Sequence, residues 1–178
     1  AEAAERGLVS EFRLKLEKLD NARDRFLSKD EEEKLMIHLP PEMRPLVRFT
    51  ILTGLRLSEA LAVRPQHVQG NILRARLKGT KLGRIPLTDE AVTIINENDW
   101  SGLYFKSVQR SFKRAALQCG WDDVTFHTLR HTTASRLVQK GASLVQVKEL
   151  LGHNSITTTQ RYAHLAPDYG EALLKLLD

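Results

Sequence analysis

Four short segments of the sequence contain side chains suited to phosphate chemistry. They are TGLRLSE with Arg56, a basic turn with Lys78, HTLRHT with His127 and Arg130, and a final stretch with His153 and Tyr162. A guanidinium can bind two oxygens of one anion, an imidazole or a lysine can move a proton, and a tyrosine can act as a nucleophile. Each residue taken alone also fits an ordinary structural role.

Arg56 lies between two predicted helices. Gly54 ends a strongly apolar helix, and Ser58 is expected to cap the next one. This spacing would hold the guanidinium in a tight corner, although a surface arginine at a helix junction is the commoner case.

His127 and Arg130 are three residues apart and share one face of a predicted helix. Because His127 lies in the first turn, free backbone N–H groups there also favour an anion. The pair His127 and His131 has metal-ligand spacing, but Thr128 stands where a zinc protease would need glutamate. We therefore expect no metal, and a solvated arginine beside a helix-start histidine remains the alternative.

The order of elements predicts a mainly α protein with a small antiparallel β-sheet, an α+β fold. We expect strands near residues 72–77 and 84–87, joined by a turn at Gly79 to Gly83. The expected helices are 29–39, 42–53, a short one before Pro65, 89–97, 104–118, 127–140, 144–151, 155–163 and 169–177.

Charge is distributed unevenly along the 178 residues. The net charge is +5, but residues 1–42 carry 8 basic and 11 acidic side chains, whereas residues 43–178 carry 19 basic and 11 acidic ones. A basic body suits a polyanionic partner.

Residues 1–28 are expected to be a linker or a remnant of an N-terminal DNA-binding domain, and residues 29–178 a catalytic domain. Lone Cys119 and the absence of a long apolar run indicate a cytoplasmic protein outside the membrane.

The predicted helix 104–118 has a basic side. Phe105, Val108, Phe112 and Ala115 should lie on its apolar side. The opposite side carries the candidate DNA contacts, Lys106, Arg110, Lys113 and Arg114. A solvated basic surface is the alternative explanation.

Taken together, the four segments resemble the tyrosine recombinase (phage integrase) family. The resemblance is carried by TGLRLSE, HTLRHTTASRL and LLGHNSITTTQRYAHL, and it covers roughly residues 28 to 166. It implies the family's catalytic-domain fold. The catalytic residues that it implies are Arg56, Lys78, His127, Arg130, His153 and the nucleophile Tyr162, with Glu59 as a supporting acid.

The resemblance implies a site-specific recombinase or integrase of bacterial or phage origin. It would cleave and rejoin double-stranded DNA through a 3′-phosphotyrosyl intermediate, without metal, cofactor or ATP. Self-association on DNA as a synaptic tetramer is expected, with the helix 169–177 as a candidate contact between protomers. A non-catalytic DNA-binding module of this fold and a type IB topoisomerase-like enzyme are the alternatives.

Overall fold

A computed structural model describes residues 25–76 and 82–167 of the chain. The helices are α1 Lys29–His38, α2 Arg44–Thr53, α3 Leu57–Ala62, α4 Asp89–Glu97, α5 Phe105–Gln118, α6 Phe126–Gln139, α7 Leu144–Leu151 and α8 Thr157–Gln160. The strands are β1 Val68–Gln69, β2 Ile72–Arg76 and β3 Leu82–Pro86, and short 3-10 turns lie at Pro41–Met43, Pro65–His67 and Ala163–Leu165. The predicted fold class, mainly helical with a small antiparallel sheet, is confirmed.

The sheet has the strand order β1-β2-β3 and is antiparallel throughout. Leu73 pairs with Ile85 across β2 and β3, and both are buried, whereas the neighbouring pair Arg74 and Arg84 is exposed. This alternation shows that one face of the sheet packs on the helical body. The turn between β2 and β3, which contains Lys78, lies outside the described residues.

Helix α2 is at the centre of the main core, as its apolar sequence predicts. Phe49 is fully buried, and its ring centroid lies 5.4 Å from that of Trp100. The indole N–H of Trp100 donates to the carbonyl of Ala60 at 3.0 Å, so α3 is held to the segment that follows α4. A smaller cluster, made of Ala134, Val138, Val147, Leu151 and Tyr162, joins α6 to α7 and to the C-terminal part of the described chain.

A buried carboxylate connects three helices. Glu32 on α1 is 6% exposed and lies 2.6 Å from both Arg48 on α2 and Arg136 on α6. Two arginines offset the cost of removing this charge from water. The predicted start of α1 is also confirmed, because the Ser28 hydroxyl accepts the N–H of Glu31 at 3.1 Å.

Contacts with the body begin before the expected domain boundary at residue 29. Leu27 is fully buried, and its N–H donates to the hydroxyl of Thr132 at 2.9 Å. Arg25 contacts both Glu31 and Asp123. Residues 25–28 therefore pack on the same body as the helices that follow them.

Helix α8, the last helix of the described residues, differs most from expectation. The prediction of a helix over 155–163 is wrong in extent, since α8 is a four-residue helix and Tyr162 lies in a turn. The N–H of Tyr162 donates to Thr159, three residues back, so the chain tightens into a 3-10 turn there. The predicted helix 169–177 lies outside the described residues, and no helix in the described part of the chain has the length and apolarity needed to cross a membrane.

Candidate active site

Gly54 sets the corner that presents Arg56. Its φ of +67° is left-handed, a conformation that glycine adopts without strain. A Cβ at this position would lie 2.3 Å from Cδ2 of Leu151, so the backbone of α2 approaches α7 more closely than any side chain would allow. The chain can therefore turn sharply between α2 and α3, directly beside the end of α7.

Glu59 fixes Arg56 in this corner. One of its carboxylate oxygens accepts the backbone N–H of Arg56 at 2.9 Å, and the other lies 3.1 Å from Nη1 of the same residue. Arg56 is thus the N-cap of α3, and the expectation that Ser58 caps this helix is wrong. The glutamate is 7% exposed and the arginine is only partly buried. One side of the guanidinium is therefore held while the other faces outward.

Arg130 is the most enclosed cation of the group. It is 3% exposed, and its guanidinium donates to the carbonyls of Gly54 at 2.7 Å and Leu151 at 2.5 Å. Burial and then repulsion by Arg56 lower its pKa to about 10, against the attraction of Glu59. The Arg130 side chain therefore links α6 to the ends of α2 and α7, and it remains cationic at neutral pH.

His153 lies where α7 ends. Gly152 adopts a left-handed conformation, and the following N–H, that of His153, donates back to Lys148 at 3.0 Å. The imidazole Nδ1 is 2.9 Å from the Thr159 hydroxyl, which holds the ring against α8. Burial, followed by repulsion from Arg130, lowers its pKa to about 4. The ring is consequently neutral at pH 7.

Tyr162 is buried in the smaller core cluster with only 2% of its surface exposed. Its hydroxyl lies 2.5 Å from Nδ1 of His131, and the two ring centroids are 5.9 Å apart. From the sequence, His131 is only a possible metal ligand, and its contact with Tyr162 is not predicted. The signal was its position, four residues after His127 and next to Arg130, which places it on the site side of α6.

His127 occupies the rim of the site. The residue is exposed, and its ring centroid lies 4.8 Å from that of His131 at an interplanar angle of 89°. Packing of the protein around the ring, and then Arg130 and Arg56, lower its pKa. Beside it opens a cavity of about 210 Å³, lined by Leu55, Arg56, Leu57, Ser58, Phe105, Gln109, Phe126, His127 and Arg130.

The electrostatic character of this region is strongly positive. Arg56, Arg130 and Arg161 each lower the pKa of His127 and of His153. The cavity thus has Arg56, Arg130 and His127 in its wall, and His131 connects His127 to Tyr162. Such an arrangement is suited to a phosphate group, because it supplies fixed positive charge and further N–H donors.

Helix α5, which carries the predicted basic side, borders the same cavity with Phe105 and Gln109. Lys106, Arg110 and Arg114 are exposed on it, as predicted. Lys113 is partly buried and donates to the carbonyl of Asp122, so it has a partner within the chain. Phe105, expected on the apolar side, stays 44% exposed because it lines the cavity instead of entering the core.

Of the predicted catalytic residues, the structure brings together Arg56, His127, Arg130, His153 and Tyr162, with Glu59 behind Arg56. Lys78 lies outside the described residues. Comparison with known families decides the classification, since the profile of the phage integrase family matches residues 25–168. The chain belongs to the phage integrase family.

Individual relatives agree with this assignment. The integrase of Escherichia phage 186 is 33% identical over 143 residues, which cover 78% of this chain and 42% of the phage protein. The tyrosine recombinase XerD of Lacticaseibacillus casei is 35% identical over 153 residues, covering 69% of this chain and 50% of XerD. This phage integrase family chain thus spans about half the length, or less, of these relatives.

The fold comparison gives the same result. The catalytic domain of bacteriophage HP1 integrase superimposes with a TM-score of 0.70 and 30% sequence identity, covering 84% of this chain and 93% of that domain. The resemblance stated from the sequence is therefore confirmed at the level of family and fold.

Proposed function

We propose that this chain is the catalytic part of a site-specific DNA recombinase or integrase. It cleaves and rejoins DNA strands through a covalent 3′-phosphotyrosyl intermediate on Tyr162. The observation that carries the proposal is one connected group of side chains. Arg56, Arg130 and His127 line one cavity, and His131 packs against His127 and contacts the hydroxyl of Tyr162. Family membership and the names of the relatives, integrases and a tyrosine recombinase, support it.

The two arginines would stabilise the transition state. Attack on a phosphodiester builds negative charge on the non-bridging oxygens, and fixed cations stabilise that charge without rearranging. The structure already holds Arg130 with two carbonyls and Arg56 with one carboxylate. His127 and His153, being neutral at pH 7, would add N–H donors without further repulsion.

Lys78 is our candidate for the general acid that protonates the 5′-oxygen as it leaves. We also propose that the reaction needs neither metal nor ATP. Side chains provide the positive charge, and the phosphotyrosyl bond keeps the energy needed for rejoining.

Double-stranded DNA is the proposed partner, and the exposed basic side of α5 is its proposed contact next to the cavity. Lys106, Arg110 and Arg114 would bind phosphates there, whereas Lys113 is a weaker candidate because Asp122 already accepts its ammonium. Each lost phosphate contact should lower the salt dependence of binding by about one unit of slope. A triple alanine variant, compared with Lys140→Ala at the C-cap of α6, tests this assignment.

Four protomers would join in a synaptic complex, with residues 168–178 contacting a neighbour. Residues 1–28 would connect residues 29–178 to a DNA-binding domain, and the enzyme would act on DNA in the cytoplasm.

The decisive experiment uses a nicked duplex that traps cleaved DNA on the protein. Tyr162→Phe should keep the fold and DNA binding and abolish the covalent adduct, while Tyr104→Phe, at a 75% exposed position, should form it normally. Peptide mapping of the wild-type adduct should find DNA on Tyr162. An adduct that survives in Tyr162→Phe would overturn the assignment.

The general acid is tested separately with a 5′-bridging sulfur substrate, whose leaving group needs no proton. This substrate should restore cleavage to Lys78→Ala. Restoration only in Lys81→Ala would identify the other lysine of the turn.

A further inference from the structure

His131 is a partly buried histidine to which the family resemblance gives no role. It follows Arg130 directly on α6, and its Nδ1 lies 2.5 Å from the hydroxyl of Tyr162. The ring is partly buried between the rim histidine, His127, and the tyrosine. Among the histidines at the site it is therefore placed against the reacting oxygen of the proposed nucleophile.

We propose that His131 is a catalytic residue that accepts the proton of Tyr162 when the tyrosine attacks DNA. This inference rests on the proposed function and deepens it. For comparison, Nδ1 of His153 faces the hydroxyl of Thr159 at 2.9 Å, and His127 lies on the rim. Neither has the contact that His131 makes.

The charge state of His131 agrees with an acceptor. The charged and titratable groups that face its ring come from three parts of the fold and are His127 and Arg130 on α6, His153 after α7, and Arg161 and Tyr162 after α8. Burial, followed by repulsion from His127 and the nearby arginines, lowers its pKa to about 4. A neutral imidazole has one nitrogen free to accept a proton, and the short contact places Nδ1 opposite the phenol.

In the proposed step, one proton leaves Tyr162 and another reaches the 5′-oxygen. The Oη–H bond of Tyr162 breaks and its proton moves to Nδ1 of His131 while Oη bonds to phosphorus. The P–O5′ bond breaks, and its electron pair goes to the 5′-oxygen, which takes a proton from the general acid proposed above. The new imidazolium lies close to Arg130 and Arg161, so its proton is readily returned when the strand is rejoined.

Single-turnover cleavage by the 178-residue chain on the nicked duplex tests this role. In His131→Asn the amide can still make a hydrogen bond near the position of Nδ1, but it cannot take up a proton. We expect cleavage at pH 7 to fall about 10²-fold, the lower range for loss of a general base. The rate should then rise about tenfold per pH unit up to pH 9, because tyrosine with an unperturbed pKa of about 10 ionises progressively.

The wild type should show a level profile over the same range, and so should the matched control His164→Asn, which changes an exposed histidine two residues after Tyr162. The 5′-bridging sulfur substrate should not restore cleavage to His131→Asn, because it removes the need for the acid and leaves the need for the base.

Two results would overturn the inference. The first is cleavage by His131→Asn at the wild-type rate. The second is slow cleavage by His131→Asn with a level pH profile, which would make His131 a positioning residue only. If the variant fails to fold by circular dichroism, His131→Gln is judged by the same criteria. Failure of the wild type to form an adduct would instead reject the proposed function itself.

Discussion

The two arginines of the site are supported in opposite ways. Arg130, in the first turns of α6, is 3% exposed and donates to two backbone carbonyls from different elements. Arg56, at the corner between α2 and α3, keeps 29% of its side chain exposed and contacts one carboxylate three residues away. The α6 region therefore uses its cation to hold the fold together, whereas the corner region holds its cation ready for a ligand.

The largest effect should follow from Arg130→Ala. The carbonyls of Gly54 and Leu151 would each lose a donor in a buried place, which costs about 1–3 kcal/mol for a group left unsatisfied. We expect the free energy of unfolding in urea to fall by about 2 kcal/mol or more, together with loss of cleavage. Arg130→Lys keeps the charge and loses the planar geometry. Its stability and cleavage should lie between those of the wild type and of Arg130→Ala. Unchanged stability in Arg130→Ala would remove the contrast between the regions.

Gly54→Ala tests the point at which the two regions meet. The substitution combines left-handed strain with a collision against Leu151, so a loss of about 2 kcal/mol is expected. Gly70→Ala is the matched control, because its φ is +56° but nothing lies within 4 Å of the added Cβ. The difference between the two variants in thermal unfolding measures the collision alone. Equal losses would mean that α7 gives way easily.

Arg56→Ala should separate chemistry from stability. We expect cleavage to fall about 10²-fold, the scale for removal of one preorganised charge-stabilising group. Stability should change by less than about 1 kcal/mol, because the ion pair is partly exposed and solvent screens it. DNA affinity, measured in parallel, should fall far less than cleavage. A stability loss equal to that of Arg130→Ala would contradict the comparison.

The smallest expected effect is a loss of folding stability at acidic pH. His131 and His153 have pKa values of about 4 in the folded chain, below the ordinary 6.5, so the unfolded chain binds more protons between these values. Stability should therefore be complete above pH 6.5 and decline as pH falls towards 4. Thermal midpoints measured across this range should fall, and His153→Asn should show a shallower decline. An unchanged slope would show that His153 does not contribute to it.

Local sequence patterns predicted the elements better than their ends. Ser58 is a favourable N-cap type, yet Glu59 reaches back to the N–H of Arg56 and starts α3 two residues earlier. The stretch before Tyr162 has helical residues, but the hydrogen bond to Thr159 tightens the turn there. These outcomes depend on competition between nearby donors, which residue preferences do not resolve.

The sequence selects the candidate site residues, but it does not predict their contacts. The motifs selected Arg56, Arg130 and Tyr162, and the structure places the two arginines in the wall of one cavity and Tyr162 within electrostatic reach of Arg130. That Arg130 joins two helix ends, and that His131 meets the tyrosine, depends on how α6 packs against α7. Such packing is a long-range property, and no short segment of sequence encodes it.

The attachment of Leu27 gives the chain a mechanical route to the site. Its N–H is held by Thr132, the residue that follows His131 on α6, and its carbonyl faces Arg136 one turn further along. A force applied through Arg25 to Leu27 would therefore be delivered to the helix that carries His127, Arg130 and His131. Helix α6 would then transmit tension from the start of the described chain to the side chains of the proposed proton transfer.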